Sequence, residues 1–251
     1  MLWARRIESR HKLRRKISSV LPSSWRWTLG ALTEKAAVYT TIHTKSIELY
    51  DKQGMQLAEE LKAKIPPGST VLDFGCGMGR PEKFLSSYCK EIYGVDISGG
   101  MLRLARKRHK NVQNVHFVKC GKTDLSVLQD CTFDFVFSEA VLQHMVKEHV
   151  VRILKELHRI CKSNGKVYLQ FCNLLCPYNL DSFIKYSLGS KILTSIRMRY
   201  WLPQEVQQVV KALGFEIINL EIKSDSRDEN RDCQLDDYRR DYSIWVFASK
   251  K

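Results

Sequence analysis

The chain lacks the features that mark several whole classes of protein. No apolar run approaches the roughly 20 residues that a bilayer-spanning helix requires. Its eight cysteines stand singly, with no Cys-x-x-Cys pair. That spacing argues against a bound metal or a dithiol redox motif, and for reduced thiols in a cytosol-like compartment. There is no internal repeat and no low-complexity tract. Acidic residues are scarce: 27 Asp and Glu face 41 Lys and Arg, for a net charge of +14. The first 27 residues contain one acid, Glu8, against eight bases. An excess of this kind favours an anionic partner, whether nucleic acid, an acidic membrane surface or an anionic substrate, although a soluble protein with a basic surface has the same composition. The arm has no continuous apolar segment, which excludes a secretory signal. Leu2, Trp3, Ile7, Leu13, Ile17 and Val20 alternate with its bases. That pattern fits an amphipathic helix gaining about 1 kcal/mol per base at an anionic membrane. It equally fits a transit peptide, an RNA-binding arm or a solvated arm, and these readings stay open. The expected location is cytoplasmic, with or without peripheral attachment to a membrane.

With 251 residues and 44% hydrophobic content, the chain is long enough for a sizeable core. Residues 1–31 read as a basic arm and 32–251 as one domain. A helical stretch from Leu32 to Lys64 stops at Pro66-Pro67-Gly68. Short apolar strands and helical patterns then alternate. The strands are Val71–Phe74, "EIYGVDI", "VHFVKC", "FDFVFS" and "KVYLQF"; the helices are Pro81–Cys89, Met101–Arg108 and Val146–Ser163. An aperiodic, mixed apolar and basic insertion covers about 172–201. A helix over Pro203–Leu213, the strand "FEIINLEI", a charged loop and the strand "YSIWVFAS" complete the pattern. The order predicts an α/β fold: a seven-stranded, mostly parallel Rossmann-like sheet with helices on both faces and an antiparallel C-terminal strand pair. Ligand sites in such sheets lie at the C-terminal strand ends.

At one such end stands "VLDFGCGMGR", Val71 to Arg80. Gly75, Gly77 and Gly79 permit positive φ and let a ligand approach the backbone closely. A dinucleotide loop reads G-x-G-x-x-G and accepts a pyrophosphate. Here Arg80 stands where that third glycine would be, and Asp73 would repel phosphates while suiting a cation. Asp96 ends the second strand 17 residues after Gly79, where an acidic side chain accepts hydrogen bonds from ribose hydroxyls. A ligand with a ribose, a positive charge and no pyrophosphate is S-adenosyl-L-methionine.

At these residues the chain resembles the class I S-adenosylmethionine-dependent methyltransferases, and among them the small-molecule enzymes of the type 11 domain kind. "VLDFGCGMG" is similar to the family's D-x-G-x-G-x-G loop, and "GVDISGGMLRLARKR" to its ribose-binding strand and the helix behind it. "FDFVFSEAVLQHM", "LKELHRICKSNGKVYL" and "LPQEVQQVVKALGFEII" resemble later family segments in the same order. The resemblance implies that Asp73 and the backbone of Gly75, Cys76, Gly77 and Gly79 hold the methionine end. It implies that Asp96 binds the ribose, that Ile97 and Met101 pack on the adenine, and that Ser138 and Glu139 border the methyl group. Gly121 and Lys122 stand where the family usually has an adenine-binding Asp; Asp124 or a backbone contact would have to substitute.

The chemistry expected is in-line methyl displacement, in which the protein mainly aligns donor, carbon and acceptor. A hydroxyl acceptor also needs a base, and His144, just past the fourth strand, is the candidate. The [N/D/S]-P-P-[Y/F/W] stretch of amino-methylating nucleic-acid enzymes is replaced by Ser138-Glu139-Ala140-Val141, and no cysteine nucleophile stands there. The expected partner is therefore a small-molecule acceptor. Leu174, Leu175, Tyr178, Phe183, Tyr186 and Trp201, with Lys185, Lys191, Arg197 and Arg199, would suit an apolar acceptor with an anionic end, such as a lipid or quinone precursor; an ordinary helical cap has the same composition. The alternatives are an RNA or protein methyltransferase using the basic arm, and a non-catalytic cofactor-binding protein.

Overall fold

A computed structural model of the chain describes residues 23–42, 46–188, 198–224 and 242–251, with side chains from Trp27 onward. The basic arm up to residue 22, Lys191 and Arg197 of the insertion, and most of the charged loop lie outside the described residues.

Three helices open the described chain: α1 (Ser23–Gly30), α2 (Glu34–Ile42) and α3 (Ile47–Lys62). The core alternates β1 (Thr70–Phe74), α4 (Glu82–Leu85), β2 (Glu91–Asp96), α5 (Gly99–Arg108), β3 (Val115–Lys119), β4 (Phe133–Ser138), α6 (Lys147–Ile160) and β5 (Cys161–Asn173). Then follow α7 (Pro177–Leu188), β6 (Tyr200–Trp201), α8 (Pro203–Ala212), β7 (Phe215–Lys223) and β8 (Ser243–Lys250). The strands form one sheet in the order β3-β2-β1-β4-β5-β8-β7, with β6 paired to β5 off this path. Neighbours from β3 to β5 are parallel, whereas β8 runs antiparallel to both β5 and β7. This is the expected mostly parallel architecture with its antiparallel C-terminal pair.

Alternation along β1 sorts the core onto two faces. Leu72 and Phe74 join Ile153, Leu154 and Leu157 of α6 and Val206 and Val210 of α8. Val71 joins Leu57, Ala58 and Leu61 of α3 and Leu102 and Ala105 of α5. Caps fix two helix starts: the Ser46 hydroxyl accepts from the Leu49 N–H at 3.1 Å, and the Ser98 hydroxyl accepts from the Met101 N–H at 3.2 Å. Ser98 therefore starts α5 directly after Asp96, at the end of β2.

Several expected boundaries move. The stretch 32–64 is two helices, α2 and α3, and the helix over 81–89 contracts to the single turn of α4. The helix expected over 146–163 ends at Ile160. Asn164, at φ +63°, makes its turn within the span of β5, and that turn, not a helix cap, is what Asn164-Gly165 encodes. Strand β6 was not expected, because two residues are too short to show a period; buried Tyr200 and Trp201 pair with Cys172 and Asn173. The sheet thus has eight strands rather than seven.

Candidate functional site

The glycine bend leaves β1 at its C-terminal end. Gly75 has φ +85°, and a Cβ added there would lie 2.2 Å from a Val141 methyl. The turn after β4 is therefore seated directly on the bend. Gly79 has a different reason: at φ +74°, a Cβ would meet the His109 ring at 2.6 Å and the Phe117 ring at 2.8 Å. Its absent side chain makes room for the core rather than for a ligand. The Cys76 side chain is buried in the core with Leu57 and Leu61 of α3, and burial pushes its thiol pKa well up.

Asp96, half-buried at the tip of β2, holds the neighbouring backbone. Its carboxylate accepts from the Gly77 N–H at 3.0 Å and the Ser98 N–H at 2.7 Å. Burial raises its pKa to about 6 against those hydrogen bonds. Asp96 and the Gly77 backbone are thus brought together on one side of the bend. Ile97 is half-buried and packs on the α6 face of the core. Met101 is only 2% exposed, packed with Ala31, Met78 and Leu104 and near Trp27.

Asp73 is buried on the other side of the bend. Burial, then the nearby carboxyls of Glu82 and Glu139, raise its pKa well above the ordinary value, with Arg80 opposing. Glu82, the first residue of α4, is fully buried, and the Asp73 carboxyl is the side chain in hydrogen-bond contact with it. Burial raises its pKa to about 7. Arg80 reaches past this pair to form an ion pair with Glu139 and donates to Gln53 at 3.1 Å. Its guanidinium lies 5.7 Å from the centre of the Tyr50 ring. Helix α3 comes so close here that a Cβ at Gly54 would sit 2.3 Å from the Arg80 carbonyl oxygen.

Ser138 is buried and donates to the Phe74 carbonyl at 2.9 Å, which locks the end of β4 to β1. The following turn carries Glu139, then Ala140 at φ +58°, whose N–H donates to Gln170 at 2.7 Å. His144 ends a short 3-10 turn, Leu142–His144, and its ring meets Trp27 of α1 edge-on with centroids 5.2 Å apart. Helix α1 also reaches α5, where the Thr28 and Ser98 hydroxyls are 3.1 Å apart. It therefore roofs the site.

Gly121 and Lys122 are exposed in the loop after β3. Asp124 caps its own turn by accepting from the Ser126 N–H at 2.8 Å, and that bond holds its pKa below the ordinary value. The structure does not direct it to the bend. Beyond Arg80 and Glu139 opens a cavity of about 300 Å³, lined also by Gln53, Gln56, Gln170 and Tyr242. At its far side Lys223 forms an ion pair with Glu60 and donates to the Tyr168 hydroxyl at 2.7 Å. Of the residues expected to line an apolar pocket, Leu175 before α7 and Phe183 and Tyr186 on it face solvent, at 59%, 39% and 40% exposed, whereas Leu174 and Tyr178 are half-buried and Trp201 is buried.

Sequence reasoning missed Glu82, Gln53 and Gly54. An acid directly after a proline in a first helical turn reads as an exposed cap, and only the fold shows that α3 closes over it. Among the described residues, no group of three or more His, Cys, Asp or Glu is gathered to hold a metal ion, and no helix is long and apolar enough to cross a membrane. The acidic bend fits a cationic nucleoside: the buried carboxyls of Asp73 and Glu82, without ion-pair partners among the described residues, stand beside it, with the Asp96 carboxylate at the tip of the neighbouring strand.

Known proteins agree with this fit. A family model described as a methyltransferase domain, type 11, matches residues 72–169. The malonyl-[acyl-carrier protein] O-methyltransferase of a Marinomonas species is 31% identical over 128 residues, which are 49% of this chain and 46% of that protein. The chain spans less than half the length of the curated relatives it first matches. Among solved structures, the PH0226 protein of Pyrococcus horikoshii is 27% identical with a TM-score of 0.63, covering 85% of this chain and 95% of that one. The magnesium protoporphyrin IX methyltransferase of Synechocystis, solved with bound SAH, shares the fold at a TM-score of 0.64 and 17% identity, over 96% of this chain and all of that one. Residues 72–169 thus match a methyltransferase domain, and the fold around them is one that S-adenosylmethionine-dependent methyltransferases of known structure share.

Proposed function

We propose that this chain transfers the methyl group of S-adenosylmethionine to a small polar acceptor. The observation that carries the reading is the pairing of two carboxyl sites on adjacent parallel strands. Asp73 and Asp96 flank one glycine bend, and a sulfonium nucleoside with an α-ammonium and a ribose complements both. Asp73, with the backbone of Gly75 and Gly77, would hold the methionine end; Asp96 would hold the ribose, with Ile97 beside the adenine. The bound cofactor supplies a methyl carbon on a sulfonium, an electrophile that needs alignment more than activation.

The chain's own contribution is placement. The Ser138–Phe74 hydrogen bond fixes β4 against β1, and Val141 fills the space over Gly75. Orientation of this kind can supply roughly 7–11 kcal/mol of a barrier. Helix α1 would shield the site from water, and His144, against its Trp27, would take a proton from a hydroxyl acceptor. The cavity beyond Arg80 and Glu139 supports a polar acceptor over the lipid- or quinone-like one, because amide, hydroxyl and charged groups dominate its lining. Domain limits of 32–251, with 1–31 as a separate arm, fit the reading only in part, since α1 belongs structurally with the domain.

The test is transfer from a methyl-labelled donor into fractionated cell extract. Label in the polar small-metabolite pool is the expected result. Label only in lipid, RNA or protein would overturn the acceptor class, and no label with measurable cofactor binding would leave a binding protein.

A further inference from the structure

Two buried carboxyls at the bend have no cation of their own. Asp73 stands one residue before the end of β1 and Glu82 opens α4, and both are buried. Each nearby arginine is committed elsewhere. Arg80 bonds Glu139 and Gln53, while Arg108 of α5 bonds Glu34 of α2 and Asp51 of α3. The remaining groups facing the pair supply no positive charge. Tyr50 of α3 has its hydroxyl pKa raised by burial, the buried Cys76 thiol stays protonated, and Glu139 adds a negative charge. His109, which caps the end of α5 behind Gly79, has its pKa lowered by burial. Among the described residues, the Asp73 carboxyl is the side chain in hydrogen-bond contact with Glu82, and no cation or neutral donor side chain takes that place. Arg80 and Arg108 still bear on the pair from those sites and oppose the rise in pKa, but neither forms an ion pair with it. A buried carboxylate without an ion-pair partner is unfavourable, whereas a carboxyl and a carboxylate sharing one proton satisfy each other.

We infer that Asp73 and Glu82 form one proton-sharing pair, and that the cofactor's α-ammonium displaces that proton when it binds, making Glu82 a positioning residue for the cofactor. The inference rests on the reading that Asp73 holds the methionine end. The charge balances: the pair carries one negative charge with its proton and two without it. The proton leaves to solvent as the ammonium arrives. Binding then tightens as pH rises through the pair's titration, by at most tenfold per pH unit for one proton.

The test is calorimetry of the full chain with S-adenosylmethionine between pH 5.5 and 7. The cofactor's own α-amino group, with an ordinary pKa near ~8, stays protonated in that range. Repeating the titration in buffers of different ionisation enthalpy counts the protons released. The expected result is a release of about one half to one proton per cofactor at pH 6, with affinity improving several-fold by pH 7. Glu82→Gln should bind with a flat pH profile and release close to none, whereas Asp96→Asn should bind more weakly and still release the proton. Wild-type binding with no proton release overturns the inference, as does release lost in Asp96→Asn but kept in Glu82→Gln. Should Glu82→Gln fail to fold, the comparison of wild type with Asp96→Asn decides: release kept in Asp96→Asn supports the pair, and release lost there overturns it. No binding by the folded wild-type protein would instead overturn the cofactor reading beneath it.

Discussion

Asp96 works at two levels within one side chain. It anchors the Gly77 and Ser98 N–H groups, and its remaining acceptor capacity is what a ribose would use. Asp96→Ala should weaken cofactor binding at least tenfold, about 1.4 kcal/mol, measured by calorimetry with S-adenosylhomocysteine. Unchanged affinity would remove the ribose assignment. His144 is tested by separating chemistry from binding: His144→Ala should slow methylation of a hydroxyl acceptor while leaving cofactor affinity within about twofold. An unchanged rate would end its candidacy as base. These residues could be read in the sequence because the bend is local: Asp73, Gly75, Gly77 and Asp96 lie at strand ends whose positions follow from short apolar runs. Glu82 could not, since its depth depends on α3 folding over it from 30 residues upstream. Met101 was legible as apolar, but not its place beneath α1.

Helix α3 is the element that sets this depth. It presents Tyr50, Gln53 and Gly54 to Arg80 and sends Leu57, Ala58 and Leu61 into the core. The close approach at Gly54 allows no side chain, because the facing atom is a backbone carbonyl. Gly54→Ala should cost about 1–3 kcal/mol through overpacking. In a chain of this size that is roughly a 2–10 °C fall in the midpoint of thermal unfolding, read by calorimetry. A stability equal to wild type would mean that α3 can back away from the bend. The helix expected over Leu32–Lys64 marked the right stretch but not its break into α2 and α3. Where the element was a single turn, as in α4, or two residues, as in β6, periodicity had too few positions to register.

For the whole molecule, charge and order of strands matter most. Residues 1–22 carry seven Lys and Arg against Glu8, a dense part of the +14. Deleting them should reduce binding to RNA and to anionic vesicles and flatten its dependence on salt, while transfer to a polar small molecule stays within about twofold. Joint loss of transfer and RNA binding would move the function to nucleic acid. The mostly parallel sheet with its antiparallel C-terminal pair was legible, since alternating strands and helices leave few topologies open, whereas the short strand β6 was not; the acceptor cavity was not either, because its lining comes from α3, β5, β7, β8 and two turns far apart in sequence. The place of β8 carries one more consequence. It is made after β7 yet lies between β7 and β5, so each waits with a bare edge until residues 243–250 leave the ribosome. The sheet closes only once that strand is made, and a nascent chain halted before it leaves the β5 edge unpaired and β7 without its partner, two borders open to chaperones.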